Sequence, residues 1–355
     1  MNSRVAPQHL IPPTGHQAPD LGRLDFLGRM PVPLRRPFKA GLDQVLARQR
    51  REDGRALNCC FLAGGEWYHP FDGLAAAGPE GLPGMLVTTF YHDILHPELL
   101  AHYAPGPDAR QSARQPDCHP ACLTAGLADP EGVFRLFSVI PFVFLVDEKR
   151  LQGRRAPAAW ADLLDPCWAD DIVFGGWRPD EQSPYQDYNS YLLLSLAREF
   201  GTAGLQAFAR NVKHLQHNIR TATQAGSNAR SVGAIAILPW LQAELCPRRE
   251  RTRVVWPRDG ALAMPIGYLL RPGRETRLAP LVDYLTGPGL AAVLARNCYP
   301  PTRPGVAAAF PADAKLKWVG WDYARSHDMA AESRQAADTF FQTWYGKDGE
   351  DRACS

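Results

Sequence analysis

The chain has 355 residues, of which 45% are hydrophobic and 21% charged, and a formal net charge of +2. That length accommodates two domains that each bury a core, and the ordinary composition excludes a disordered chain, a coiled coil or a collagen-like repeat. The near-zero charge creates no field for nucleic acid, and no window approaches about 18 apolar residues without a charge, so no membrane insertion is expected.

Residues 1–22 read as a flexible lead-in. The stretch Met1–Arg29 lacks a basic patch followed by an apolar run and a small-residue cleavage site, so a cytoplasmic location is expected. The eight cysteines are too sparse for a disulfide-built scaffold and fit a reducing compartment. Alternating apolar and polar stretches then point to an α/β fold with mostly parallel sheets. Leu24–Met30 reads as a strand and Pro37–Arg51 as a helix with Phe38, Leu42, Val45 and Leu46 on one face. Leu57–Leu62 is the next strand, with Cys59 and Cys60 pointing to opposite faces. Gly84–Thr89 is strand-like, and a helix over His96–Tyr103 is opened by Pro97. Residues 104–132, rich in Pro, Gly, Asp and Gln, read as a long surface excursion.

Phe134–Asp147 restores strand character with an interruption at Pro141. Trp160–Leu164 is a helical turn and Ile172–Phe174 a short buried strand. Helices follow over Tyr188–Phe200 and Thr202–Val212, the first with a stripe of Leu192, Leu193, Leu196 and Phe200. Ala234–Leu238, Arg253–Trp256 and Ile266–Leu270 are strands. Leu278–Leu285 and Leu290–Arg296 are helices, and Met329–Trp344 is an amphipathic helix with Phe340, Phe341 and Trp344 inward.

Four landmarks in this order resemble one family. Ala156-Pro157-Ala158-Ala159-Trp160-Ala161-Asp162-Leu163-Leu164-Asp165-Pro166-Cys167-Trp168 is similar to the P-x-S-W-x-D-L-x-D-P-x-W stretch of bacterial periplasmic solute-binding proteins of ABC importers, in their ferric-iron and spermidine-like branch. Val254-Val255-Trp256-Pro257-Arg258-Asp259-Gly260-Ala261 resembles that family's return segment. Leu281-Val282-Asp283-Tyr284-Leu285 resembles its F-I-D-F-L helix, followed by the turn Gly287-Pro288-Gly289, and Tyr299-Pro300-Pro301 matches a late turn. The landmarks span about residues 140–305.

The resemblance implies an α/β, two-lobed periplasmic-binding-protein-like (type II) fold with discontinuous lobes and an interlobe cleft. Residues 1–139 and 262–300 would form lobe I, and residues 140–261 and 301–355 lobe II. Pro141 and Pro265, which cannot donate to a ladder, suit strands that pass from one sheet to another. The implied function is binding a small polar solute in the cleft by hinge closure. The protein would be the solute-binding component of an ABC importer, or a cytoplasmic relative of it. The expected partners are a small-molecule or ion ligand and an ABC permease; a monomer without cofactors is expected. Family members usually work in the periplasm, which makes that compartment the alternative.

Ligand-facing loops in such a fold follow the strands, where Gly turns and helix N-termini present free N–H groups. Substrate-binding candidates are Arg35, Glu66, Trp67, Tyr68, Tyr91 and His92 in the first lobe. In the second they are Trp177, Arg178, Tyr185, Tyr188, Thr223 and Trp240. This mix of aromatic and polar groups suits a small polar solute, although each tryptophan could equally cap a core. The family's ferric-ion binders place two adjacent tyrosines late in the second lobe as hard oxygen ligands. Thr221–Leu238 has no such pair, so an organic or oxyanion solute is expected rather than iron. No resident metal is expected. His92 and His96 stand four apart without the Glu of a zinc protease motif, and Cys118 and Cys122 lack a partner pair. No P-loop, Rossmann fingerprint or nucleophile elbow occurs, so the reading is non-catalytic. The alternative is an enzyme on the same scaffold, as porphobilinogen deaminase and some thiamine-precursor proteins are, using His92, Asp93 or Cys122.

Overall fold

Strand-forming segments of the sequence assemble into one sheet in the computed structural model. It describes residues 20–54, 56–62, 71, 74, 77–89, 94–106, 118–175, 187–306 and 310–353. Among these, the strands are Phe26–Arg29 (β1), Cys59–Leu62 (β2), Met85–Thr88 (β3), Phe134–Asp147 (β4), Ile172–Gly175 (β5), Val212–Gln216 (β6), Ile235–Pro239 (β7), Thr252–Val255 (β8), Ala261–Leu270 (β9) and Leu316–Lys317 (β10). Their order is β2-β1-β3-β9-β4-β7-β5-β6, with β10 added to β9 and β8 to β4.

Two strands carry the sheet from end to end. β4 is 14 residues long and buried at all but Arg135, and β9 is 10 residues long and wholly buried. Such unbroken apolar runs belong to strands covered on both faces. They pair antiparallel from Phe134↔Leu269 to Phe142↔Leu262, with a register shift between Leu136 and Ser138. β1 pairs in parallel with both β2 and β3 at one end, and β5 does so with β6 and β7 at the other.

The expected interruption at Pro141 is absent, and the hydrogen bonding shows why. Val139 donates its N–H to Pro300 O, away from β9, so the pair Val139↔Pro265 exchanges no ladder bond. Pro141, two residues on, faces the same way and pairs with Ala263. Both prolines therefore occupy positions where the ladder asks for no donor.

The helices are Val32–Asp53 (α1), Pro97–Tyr103 (α2), Pro120–Thr124 (α3), Asp187–Asn211 (α4), Asn218–Gln224 (α5), Trp240–Glu244 (α6), Glu275–Thr286 (α7), Pro288–Arg296 (α8), Trp321–Ser326 (α9) and Met329–Ala353 (α10). The two helices expected over 188–212 are arms of α4, kinked at Gly201, whose φ of 67° favours glycine. The second arm ends early: Val212–Gln216 is the strand β6, with Val212 and Leu215 buried. Thr223, expected from sequence in a ligand-facing loop, lies in helix α5 (Asn218–Gln224) instead. Residues Glu275–Arg296 are apolar and long enough to cross a membrane by composition alone. They form two helices parted at Gly287, with Leu278, Leu281, Leu285, Leu290 and Leu294 in the core.

The described part of the 104–132 segment is not a surface excursion. Cys118, Cys122, Leu127 and Asp129 are buried. Gly126 O and Leu127 O accept from the indoles of Trp318 and Trp321, each at 3.1 Å. Asp129 caps three backbone N–H groups and pairs with Arg325. Small and polar residues here conceal a segment that ties β4 to the C-terminal third.

At the β5–β6 end α10 lies along α4, and Phe340 meets Phe174 at 5.4 Å and Phe208 at 6.1 Å. Trp344 donates its indole N–H to Val212 O at 2.8 Å. At the β1–β2 end α7 packs on α1, where Tyr284 donates to Phe38 O and stands against Gly41; a Cβ at Gly41 would lie 2.5 Å from the phenol oxygen. Asp25 closes this end. It accepts from both arms of Arg277, at 2.7 and 2.6 Å, and from Asn58 N–H at 2.9 Å.

Phe340 is fully buried, so Phe340→Ala is expected to cost about 3–5 kcal/mol in urea unfolding; a cost below about 1 kcal/mol would contradict the packing described. Burial pushes Asp25 up, but its hydrogen bonds to Arg277 and Asn58 and the nearby positive charges of Arg277 and Arg274 hold its carboxyl below the usual carboxylate range. A carboxylate depressed in the folded state stabilises above its unfolded pKa, about 4, and that gain is lost as pH falls through the folded value. Asp25→Asn should therefore be less stable than the parent by about 1–2 kcal/mol at pH 7. The gap should close on acidification below about pH 4, and a gap unchanged with pH would refute the assignment.

Candidate functional site

Strand direction and register locate the site. β1 and β3 run parallel to β4, and β5, β6 and β7 run opposite to it. Thr88, the last residue of β3, is level with Gly267 and through it with Leu136. Pro239, the last residue of β7, is level with Phe142. The carboxyl ends of the two parallel sets thus face each other across Leu136–Phe142, roughly 20 Å of strand. Ligands in open α/β sheets bind outside carboxyl ends, where loops and helix N-termini expose donors; here two such edges oppose one another over one floor.

The first wall is made by the end of β1 and the start of α1. Pro31 supplies no side-chain cap to α1 and no acidic residue occupies its first turn; Pro33 has no N–H and Leu34 N–H is taken by Pro31 O, so the helix dipole and the Val32 N–H are what favour an anion here. Arg29 is buried here. Arg35 sits one turn in and donates its Nε–H to Met30 O at 3.1 Å. Thr88 and Thr89, both buried, mark the end of β3.

The second wall is rich in amides. Gln216 ends β6, Asn218 opens α5, and Gln242 lies in α6 just past β7. All three are buried, and Gln216 Oε1, Asn218 Oδ1 and Gln242 Oε1 have no hydrogen-bond partner among the described residues. A buried acceptor left unpaired costs about 1–3 kcal/mol, so three of them near the ends of β5, β6 and β7 are groups that a donor-bearing molecule would satisfy. Gly175 makes the second wall possible, since a Cβ there would lie 1.8 Å from Asn218 Oδ1. Sequence reasoning missed these amides because Gln and Asn in a polar segment carry no periodic signal.

Of the residues expected from sequence, the structure brings Arg35 and Trp240 to the facing strand ends. Trp240 donates to Glu244 at 3.0 Å and meets Trp256 edge-on at 5.4 Å. With Glu148, Arg249, Arg253 and Pro311 these groups line a hollow of about 550 Å³. Thr223 stands exposed near the end of α5, its hydroxyl bonded to Ile219 O and Arg220 O of its own helix. Tyr188 falls in the first turn of α4. Glu66, Trp67, Tyr68, Tyr91, His92, Asp93, Trp177, Arg178 and Tyr185 lie outside the described residues, as do the segments continuing from β2, β3 and β5. His96 is the N-cap residue of α2, its side chain makes no capping bond, and its buried Nδ1 has no hydrogen-bond partner among the described residues. Cys118 and Cys122 lie in the core. No group of three or more His, Cys, Asp or Glu able to hold a metal ion occurs among the described residues.

Two of the motifs marked in the sequence clasp each other. Trp160 donates its indole N–H to Gly260 O at 2.9 Å, and Arg258 N–H donates to Ala158 O at 2.8 Å. Asp259 accepts from Lys317 at 2.8 Å, and Lys317 also pairs with Glu199. The W-A-D-L turn and the P-R-D-G return are therefore one structural latch beside β4, where Trp160 packs edge-on against Phe144 at 4.9 Å.

Comparison with known proteins agrees with this architecture. The family model of bacterial extracellular solute-binding proteins matches residues 83–327, and the chain belongs to that family. No curated protein matches it by sequence. Solved structures share the fold over nearly their whole length. A Bordetella ferric binding protein is 16% identical, with a TM-score of 0.59 over 90% of this chain and 98% of its own. Apo ferric ion-binding protein A of Pasteurella haemolytica is 12% identical, with the same score and coverage. The periplasmic binding protein AfuA of Actinobacillus pleuropneumoniae, solved with fructose-6-phosphate, is 16% identical, with a TM-score of 0.56 over 90% and 98%.

Proposed function

We propose that this bacterial extracellular solute-binding protein closes its two lobes over a small polar organic solute bearing an anionic group, and hands it to an ABC permease. The observation that carries the reading is the opposition of two sets of strand carboxyl ends across β4 and β9. Three stretches at the same level, around Pro141, Pro265 and Pro300–Thr302, would be the hinge. Boundaries at 139/140 and 300/301 lie at this level, whereas 261/262 lies three to four residues before Pro265, level with Phe142. The uncapped start of α1 with Arg35 suits an oxyanion, and the unpaired amide oxygens suit hydroxyl or amine donors.

The same residues argue against a ferric ion, which calls for anionic oxygen ligands. Tyr191, near the second wall, is buried and donates to Ala263 O at 2.6 Å. A ferric ligand is what the names of some structural relatives state, as a phosphorylated sugar is for AfuA; the residues here lean toward the second. Binding without turnover fits the family, and Cys122, a nucleophile candidate, is sealed in the core. We place the protein outside the cytoplasmic membrane, as the family description implies, acting as a monomer without nucleic acid.

Isothermal titration against phosphorylated sugars, inorganic oxyanions, polyamines, amino acids and metal ions should find one ligand bound at micromolar affinity or better. Gln216→Leu and Asn218→Leu should each weaken it about tenfold while leaving the melting temperature unchanged or higher. A flat panel combined with turnover of any panel member would overturn the proposal, and tight binding of ferric ion alone would overturn the ligand class.

A further inference from the structure

We propose that the hollow between α6 and β8 is a second binding site, for the ring of a neutral saccharide, separate from the solute site. Its position follows from register. The carboxyl end of β7 is level with Phe142, whereas β8 pairs with Phe144–Asp147, from Val255↔Phe144 to Thr252↔Asp147. The hollow lined by α6, β8 and Glu148 therefore runs away from the floor, behind the second wall, over roughly 17 Å of strand. Trp240, just past β7, is where the two sites adjoin. The hollow holds about 550 Å³, enough for a small molecule.

Its lining combines two features, of which the first is aromatic. Trp240 and Trp256 are both half-buried and stand at 89° to each other, with ring centroids 5.4 Å apart. Their indole N–H groups are engaged within the protein, by Glu244 Oε1 at 3.0 Å and by Lys315 O at 2.8 Å. The rings therefore offer a ligand π surface, extended by Val254 and Pro311. A pyranose ring turns a face of C–H groups to such a surface, and the negative face of an indole attracts the C–H dipoles. The other hollows lack free rings. Beside Arg258, Trp168 is covered by the Arg154 guanidinium at 4.5 Å. Beside Gly201, Tyr323 is stacked on His327 at 4.1 Å and on Arg198 at 4.9 Å.

The second feature is charge that is present but balanced. Glu148 pairs with Arg253 at 2.6 Å, Glu244 with Arg249 at 3.0 Å and Glu250 with Arg251 at 3.6 Å. These side chains are 35% to 67% exposed, so their remaining lone pairs and N–H groups are open to a ligand. A hydroxyl donates and accepts at once. A carboxylate and a guanidinium in contact therefore match one hydroxyl, or two on neighbouring carbons, with no change in net charge. A cation or an anion would instead meet one member of each pair with its own sign. Apolar ring faces beside paired charges thus favour a neutral polyhydroxylated ring. A free sugar and the end of a glycan chain present the same ring, and chain length tells them apart.

The test titrates the full chain with glucose, galactose, N-acetylglucosamine, maltose and chitobiose, read by tryptophan emission and by calorimetry. At least one sugar should change the emission saturably, with a Kd on the order of 1 mM or tighter. Trp256→Leu should weaken that sugar about tenfold. Glu148→Gln, an exposed substitution that leaves the ring pair intact, should weaken it about threefold. Gln216→Leu, in the second wall, should leave it unchanged, so the result is independent of the solute site. Tighter binding of the disaccharides would assign the ring to a glycan chain, and binding no tighter than that of the monosaccharides to a free sugar. No saturable response to any of these sugars would overturn the proposal, as would an affinity unchanged in both Trp256→Leu and Glu148→Gln, or lost in Gln216→Leu. Binding of tetramethylammonium chloride in place of the sugars would overturn the ligand class.

Discussion

The structure depends on the antiparallel pairing of β4 with β9. It is the longest ladder in the sheet, it is dry on both faces, and every other strand of either half is placed relative to it. A long strand that pairs with one set of partners near its start and another near its end must hold the two sets at a fixed separation. The antiparallel course of β7 relative to β4 turns the second set around, so that its carboxyl ends meet those of the first. The site follows from pairing rules: no loop needs to be specified for two strand-end edges to oppose each other.

Proline placement respects that constraint. Pro141 and Pro265 sit where neither is asked for a ladder bond, so the floor keeps its hydrogen bonds, and on its outward side Phe137–Val139 is paired with the crossing segment Pro300–Thr302. The latch of Trp160, Asp259, Gly260 and Lys317 lies at the second half's edge of this stretch, where β8 gives way to β9. Its indole and carboxylate anchor the excursion between those strands. The motif residues that resemble the family so closely are thus explained by packing rather than by contact with a ligand.

How much of this was legible in the sequence depended on burial. Phe134–Asp147 announces itself as a strand because both faces are covered and the run is almost unbroken in apolar residues. Only the last half of β9 is readable, since Ala261–Met264 are helix-favouring residues and Pro265 breaks the run. β6, Val-Lys-His-Leu-Gln, has too few apolar residues to signal a strand beside a helix. The segment after Cys118 was mistaken for surface because its stabilising bonds run from backbone carbonyls to distant tryptophans, which no local pattern reveals. The same holds for the site: loops after strands could be named from topology, and Arg35 and Trp240 lie at the facing ends, but the unpaired amides of Gln216, Asn218 and Gln242 exist only once three strands end side by side.

Solution scattering with and without ligand tests the central claim most directly. If two halves hinge about the β4–β9 floor, saturation with the solute that titration identifies must lower the radius of gyration and sharpen the distance distribution into a single peak. A Gly175→Ala variant, which displaces Asn218, must need more ligand to reach the same contraction. A saturated protein whose scattering curve superimposes on that of the free protein would contradict the account.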